Sequence, residues 1–347
     1  MSWFVELPPA LRGSFVRPSF AALFVLTALA GCSGSDDPPD LTPEGEATPA
    51  SETWEGDVVA ATRALRPQEG TERDWEILRT TVTRAWEGGV DLFPMGEAMV
   101  EIGLSLLGTP YGPGTLEVAG QEDVVVNLEE LDCVTFVENT LAMARFIREN
   151  DPGILDFQTR FREAYRRALQ QIRYRNGRVE GYPSRLHYFS DWIRDNEAKG
   201  LVRELTAELG GEIETDVIDF MSTHPEAYRQ MANPANVTAI MRTEIELSRI
   251  DRFRIPEEEI FNRASSINNG DIIAATSTVD GLDVAHTGLA YWQNGELYLL
   301  HAPLVGGVVE ISRLPLAERI LRIDGQDGIR VVRPVESGAA TAGGSLP

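Results

Sequence analysis

Thiols and imidazoles are scarce in this chain. Its 347 residues include two cysteines and four histidines, and lysine occurs once, at Lys199, so that the other 30 basic residues are arginines. Few side chains can therefore serve as nucleophile or base. Positive charge is also short: 31 basic against 54 acidic residues give a formal net charge of −23. That balance argues against a nucleic-acid partner and against docking on anionic lipid through a basic patch. The longest apolar stretch, Ala21 to Ala30, is about half the roughly twenty residues that span a bilayer. A phosphate-binding glycine loop and a compact ligand motif such as His-Glu-x-x-His are both missing, so no cofactor and no metal are expected.

The first cysteine belongs to the N-terminus. Arg12 and Arg17 precede the apolar stretch, which ends in Leu29-Ala30-Gly31-Cys32; this pattern reads as a bacterial lipoprotein signal. Processing would leave Cys32 as the lipidated first residue; the alternative is an uncleaved secretory leader with Cys32 an ordinary residue. The expected organisation is a signal peptide at 1–31, then the lipidated cysteine and a Pro-rich acidic tether at 32–73. One globular domain at 74–335 and an unstructured tail at 336–347 complete it. The tether composition, with hardly any large apolar side chain, cannot bury a core. Ser33 stands where an inner-membrane retention aspartate would be. The expected location is thus the cell envelope, lipid-anchored in the outer membrane and facing the periplasm, for a monomer whose membrane contact is the acyl chains.

Cys133 is then a lone thiol in an oxidising compartment, where it must be either buried and inert or retained for chemistry. In Leu131-Asp132-Cys133-Val134-Thr135-Phe136-Val137 it precedes apolar residues at Val134, Val137, Leu141 and Ala144, a helical spacing. Asp132 is an apt N-cap, which puts Cys133 in the first turn, where backbone N–H groups and the helix dipole favour thiolate. A small buried hydrophobe would fit the position equally well.

Helical patterns cover Asp74–Trp86, Phe93–Leu107, the Cys133 segment and Phe157–Ile172. Between 201 and 262 the pattern supports short strands near Thr215–Phe220 and a helix across Glu226–Met231. From Gly270 the chain alternates in β-branched runs at Asp271–Thr276, Val284–Gln293, Glu296–Pro303 and Val308–Leu314. Helices followed by an antiparallel sheet define an α+β class. Asn294-Gly295 between two strands calls for a two-residue hairpin turn. Pairing Gln293 with Glu296 sets His301 opposite Gly288 and puts His286 and His301 on one face, a diagonal step apart. The same face carries Trp292, Leu297 and Leu299. A thiolate nucleophile at Cys133, a base at His286 and an orienting group at His301 would make a nucleophilic triad, although both histidines could be ordinary strand residues. His187 competes for the third place, and His224 reads as a surface residue. Asp283, His286 and His301 could alternatively hold zinc, which would leave Cys133 without a role.

Several segments together resemble one family. They are Leu107-Gly108-Thr109-Pro110-Tyr111 with Gly114-Thr115-Leu116-Glu117, Asp132-Cys133-Val134-Thr135-Phe136-Val137-Glu138, and Arg185-Leu186-His187-Tyr188-Phe189-Ser190-Asp191-Trp192. Gly270-Asp271-Ile272-Ile273, Gly281-Leu282-Asp283-Val284-Ala285-His286-Thr287-Gly288 and His301-Ala302 complete the set. The chain resembles the N-acetylmuramoyl-L-alanine amidase-like proteins, a papain-fold group related to NlpC-like cell-wall hydrolases. The resemblance implies a papain-like core with the cysteine helix packed on an antiparallel sheet, plus additional helices. It also implies peptidoglycan or muropeptide as substrate, hydrolysed at an amide in or beside the stem peptide, with the muramic acid–L-alanine bond favoured by the family name. Stem-peptide endopeptidase, peptidyl transferase and a non-enzymatic wall-binding lipoprotein are the alternatives. Tyr111 matches a tyrosine that lines the oxyanion site in related hydrolases, or is a core residue. Arg185, Tyr188 and Asp191 look like pocket residues able to read a stem-peptide carboxylate or amine, with a structural ion pair the alternative for Arg185.

Overall fold

The computed structural model describes residues 68–336. The leader, Cys32, nearly all of the tether and the tail from 337 lie outside the described residues.

Helix α1 (Glu72–Glu87) opens at a capping box in which Thr71 and Asp74 satisfy each other's backbone N–H groups. Helices α2 (Met95–Ser105), α3 (Cys133–Glu149), α4 (Gln158–Arg173) and α5 (Phe189–Ala198) follow. Trp75, Phe146, Phe161 and Tyr165 meet edge to face where α1, α3 and α4 pack, with ring centroids 5.7–6.3 Å apart. Helix α6 (Phe220–Thr223) and helix α7 (Pro234–Leu247) form a smaller cluster around Tyr182, Tyr188, Ile218, Phe220 and Leu247.

The strands are β1 (Val202–Glu204), β2 (Glu212–Glu214), β3 (Arg252–Pro256), β4 (Ile272–Ser277), β5 (Val284–Gln293), β6 (Glu296–His301), β7 (Glu310–Ile311) and β8 (Gln326–Pro334). They form one sheet in the order β2-β3-β8-β4-β5-β6-β7, with β1 also on β8, and every pairing is antiparallel. Mixed helices and an antiparallel sheet match the α+β class expected from the sequence. Ile272, Ala274, Leu289, Leu300 and Val332 face α1 to α5 in the main core. Alternate residues Ile273, Ala275, Ala290, Leu299, Ile329 and Val331 face the other way. There they pack against Ile260 of α8 (Ile260–Arg263) and Leu316 and Ile320 of α9 (Leu316–Arg322).

Several expectations are corrected. The helix placed across Glu226–Met231 is a pair of 3₁₀ turns, and the α-helix starts later, at Pro234, with Asn233 capping Ala235 N–H. No strand forms at Thr215–Phe220; those near it are β1, β2 and β3. The last strand signal, Val308–Leu314, contracts to two residues, because beyond Ile311 the backbone turns to bond Ser312 with Leu299.

Candidate active site

Cys133 is the first residue of α3. Asp132 Oδ1 accepts from Thr135 N–H at 2.7 Å, and Thr135 Oγ1 accepts from Asp132 N–H at 2.9 Å, closing a capping box around the cysteine. That box fixes where the helix starts. Cys133 is half-buried, while Thr135 to Ala144 behind it are fully buried. Burial pushes the carboxyls of Asp132 and Glu138 up, against the opposing pull of the Arg173 guanidinium. Arg173 donates to Glu138 Oε2 at 2.6 Å and to the Val125 carbonyl at 2.7 Å, which pins α3 to α4 just behind the cysteine.

The histidines lie on the hairpin. Asn294 and Gly295 both have positive φ, 53° and 85°, as the two-residue turn requires. The register runs Gln293↔Glu296 through Leu289↔Leu300, which carries His301 opposite Gly288. His286 Nε2 and His301 Nδ1 are 2.7 Å apart, with the rings nearly perpendicular. A side chain at 288 would collide with His301, since an added Cβ would stand 2.9 Å from His301 Cβ. Ala275 pairs with His286 but Thr276 pairs with Val284, so Ala285 is the extra residue of a bulge beside His286. Such bulges re-aim the neighbouring side chains. Burial, aided by the Arg319 charge, holds both rings neutral: His286 lies well below the usual imidazole value and His301 is lowered to about 3. His301 Nε2 is buried and has no hydrogen-bond partner among the described residues.

A short extended segment links the strand beside His301 to the chain just before the cysteine helix. On one side Gly108 and Thr109 bond to Val309 and Pro110 pairs with Val308, next to Glu310, which pairs with His301. On the other side Tyr111 pairs with Leu131, two residues before Cys133, and Leu131 N–H donates to the Pro110 carbonyl. Helix α3 packs along β5, with Phe136 and Leu289 in one core. Tyr111 is half-buried on this segment, its own N–H given to the Gly307 carbonyl at 2.7 Å.

The expected substrate readers are placed differently. Arg185 is 6% exposed and flanked by two carboxyl groups, Glu117 at 2.5 Å and Glu122 at 3.1 Å, so its guanidinium is already engaged. Tyr188 is buried and its hydroxyl donates to Glu244 at 2.7 Å while accepting from Met221 N–H. Asp191 is buried under a two-pronged pair with Arg175, at 2.9 and 2.6 Å. Tyr188 thus ties the start of α5 to Glu244 of α7, and Asp191 ties α5 to Arg175, which leaves their reading as pocket residues without a free polar group to carry it; for Arg185 the ion-pair alternative is the one the geometry favours. The His187 ring lies tilted against that of Tyr182 and bonds the Tyr182 carbonyl at 2.9 Å, so it is not the partner of His286. His224 is half-buried and stacks on Phe220. Both oxygens of Asp283 accept backbone N–H groups, from Ser190 and Val284. Among the described residues no three His, Cys, Asp or Glu side chains converge as metal ligands. Sequence reasoning missed Arg319, whose charge reaches both histidines; nothing in its exposed-looking context, Leu316-Ala317-Glu318-Arg319, signals burial.

Residues 101–326 match the model of the AmiA-like family, N-acetylmuramoyl-L-alanine amidase-like. The chain belongs to that family. Among solved structures, an N-acetylmuramoyl-L-alanine amidase from Bacteroides uniformis is 35% identical, with a TM-score of 0.64, over 70% of this chain and 99% of that one. A Bacteroides fragilis protein provisionally described as a xylanase is 39% identical, with a TM-score of 0.61, over 67% of this chain and 98% of that one. A Legionella pneumophila protein at 18% identity and a TM-score of 0.52, over 76% of this chain and 95% of that one, shares the fold alone. No curated protein matches the chain.

Proposed function

We propose that this family member is a cell-wall hydrolase that cleaves the amide between N-acetylmuramic acid and L-alanine, with Cys133 as nucleophile. The observation that carries the reading is the 2.7 Å bond from His286 Nε2 to His301 Nδ1. It commits one nitrogen of His286 to an orienting partner and leaves Nδ1 for the thiol. His286 Nδ1 takes the Cys133 proton, and the thiolate attacks the lactyl carbonyl carbon. The C–N bond breaks as the same proton passes to the L-alanine nitrogen, and water then hydrolyses the thioester with His286 as base. Two features support these roles: the buried rings are neutral, as a base must be, and the first turn of α3 offers backbone N–H groups to the thiolate. Tyr111, on the segment beside Leu131, is assigned to the oxyanion side of the site.

A glycosidase, as the Bacteroides fragilis relative is described, needs two free carboxyls about 5–9.5 Å apart across the bond. Here two carboxylates on the cysteine helix are engaged, Asp132 as its cap and Glu138 with Arg173. The papain-like description of the core, the lipid anchor at Cys32 and a periplasmic site of action belong to the same proposal. The test is digestion of purified peptidoglycan with chelator present, read by mass spectrometry against a Cys133→Ala control. Stem peptides beginning with L-alanine that vanish in the control are the expected products. Shorter fragments would make the protein an endopeptidase, and unchanged release in the control would remove Cys133 from the mechanism.

A further inference from the structure

Away from the histidine hairpin, one cavity gathers negative charge that the fold leaves unpaired. Its volume is about 360 Å³, and it lies where the connection from β4 to β5, residues 277–283, meets the end of β2 and the segment after it, residues 214–219. The two walls are fastened through their backbones: Ile218 bridges Gly281, and Asp219 and Phe220 both give their N–H to the Gly281 carbonyl at 3.1 Å. Gly281 has a φ of 80°, and a Cβ there would overlap Asp219 Oδ1, so the loop is shaped to admit that carboxylate.

Glu214 lines the cavity and is 9% exposed. Its Oε2 accepts no hydrogen bond among the described residues, and its ion-pair partner, Arg252 Nε, stands off at 3.8 Å, beyond hydrogen-bond reach. Arg252 spends Nη1 and Nη2 on the carbonyls of Leu247 and Asp216. On the same lining, the carboxylates of Asp216, Asp219 and Asp280 enter no hydrogen bond or ion pair among the described residues. Two further acids there are committed, Asp283 to backbone N–H groups and Asp327 to Thr276 and Arg254.

Unpaired carboxylates around a cavity call for a cation, and the rest of the lining selects its kind. Among the described residues the acidic side chains do not converge as metal ligands. Val217 and Val279, one from each wall, are 62% and 36% exposed and offer an apolar surface. Apolar contact beside carboxylates suits a primary ammonium on an alkyl chain, which can lay its methylene stem on the valines and present its N–H donors to the acids.

We propose that this cavity is a subsite for an alkylammonium group, and that in the cell wall it takes the side-chain amine of a diamino acid at the third position of the stem peptide. The inference rests on the hydrolase reading of the site. The spacing supports it: Asp283 precedes His286 by three residues, a span of about 10 Å, and three residues of stem peptide cover about the same distance from the amide to L-alanine.

The test is an NMR titration of the full chain carrying Cys133→Ala, with Nα-acetyl-lysine amide as probe and its Nε-acetylated form as control. The amine should bind and the acetylated form should not. Glu214→Gln should weaken binding about tenfold or more, and so should Asp219→Asn combined with Asp280→Asn, which serves if Glu214→Gln does not fold. No binding by the otherwise native chain, or equal binding of the acetylated probe, would overturn the proposal. Kinetics then identify the source of the amine. On a muropeptide with lysine at the third position, acetylating that side chain should raise KM about tenfold with a smaller change in kcat. A KM indifferent to acetylation while the probe still binds would overturn the stem-peptide assignment and leave a site for a free amine, checked with cadaverine. Probe binding in a protein that cleaves no amide would keep the cation site and sink the hydrolase reading instead.

Discussion

At the scale of single residues, the four histidines show how environment, not residue type, assigns the chemistry. His187 and His224 spend their ring nitrogens on nearby backbone carbonyls, whereas His286 and His301 spend theirs on each other. On the proposed mechanism Cys133→Ala should abolish turnover while leaving Tm nearly unchanged, because a half-buried first-turn cysteine contributes little packing. His286→Ala should cost about 10²–10⁴ in kcat, and His301→Ala less, since it removes orientation and not the base; equal losses would mean the two roles are wrongly divided. The same burial has a cost in acid. A histidine held below its ordinary value is neutral when folded, so below pH 6.5 the unfolded chain binds protons that the folded one refuses. The stability is fully present above pH 6.5 and drains away toward pH 3. Differential scanning calorimetry from pH 7 to 4 should therefore show a shallower fall in Tm for His301→Gln than for the native chain, and parallel curves would contradict the neutral, buried assignment.

At the scale of elements, the parts of the site that were legible in the sequence are those set by local rules. Asn294-Gly295 fixed a register, and register alone paired the histidines; Asp132 with Thr135 fixed the start of the cysteine helix. Both are contacts between residues close in sequence. Strand β8 was not legible because a central strand containing Gly328, Arg330 and Arg333 reads as a polar loop. Its burial depends on Glu204 and Ser190, more than a hundred residues away, which pair with Arg330 at 2.6–2.9 Å. At Arg185 and Asp191 motif position suggested function, and only the fold reveals that Glu117, Glu122 and Arg175 pair with them. Helix α7 carried an available signal, Asn233 as cap before Pro234 at the first helical position. Two substitutions probe these elements. Asp132→Ala should cost about 1–2 kcal/mol by denaturant titration, with activity lost beyond what unfolding explains because Cys133 is no longer held at the helix start. Gly288→Ala drives a methyl group to 2.9 Å from His301 Cβ and Leu299. It should lower kcat more than it lowers stability; full activity would show that the pair tolerates displacement.

At the scale of the whole molecule, charge works against the substrate proposed for it. The chain carries −23, and stem peptides end in carboxylates, so protein and wall repel each other at a distance. The deeper electrostatics do not share this problem: the pair Arg173–Glu138 is nearly inaccessible to solvent and is screened little by salt, while the net charge is a property of the surface and is screened within about 10 Å at 0.1 M salt. Added salt should therefore leave the site alone and relieve the encounter. Raising sodium chloride from 10 to 150 mM should increase kcat/KM on intact sacculi while leaving kcat on a small soluble muropeptide almost unchanged. A rate that falls with salt would point instead to a locally basic docking face that outweighs the net charge, and hence to an attraction between protein and wall that the composition conceals.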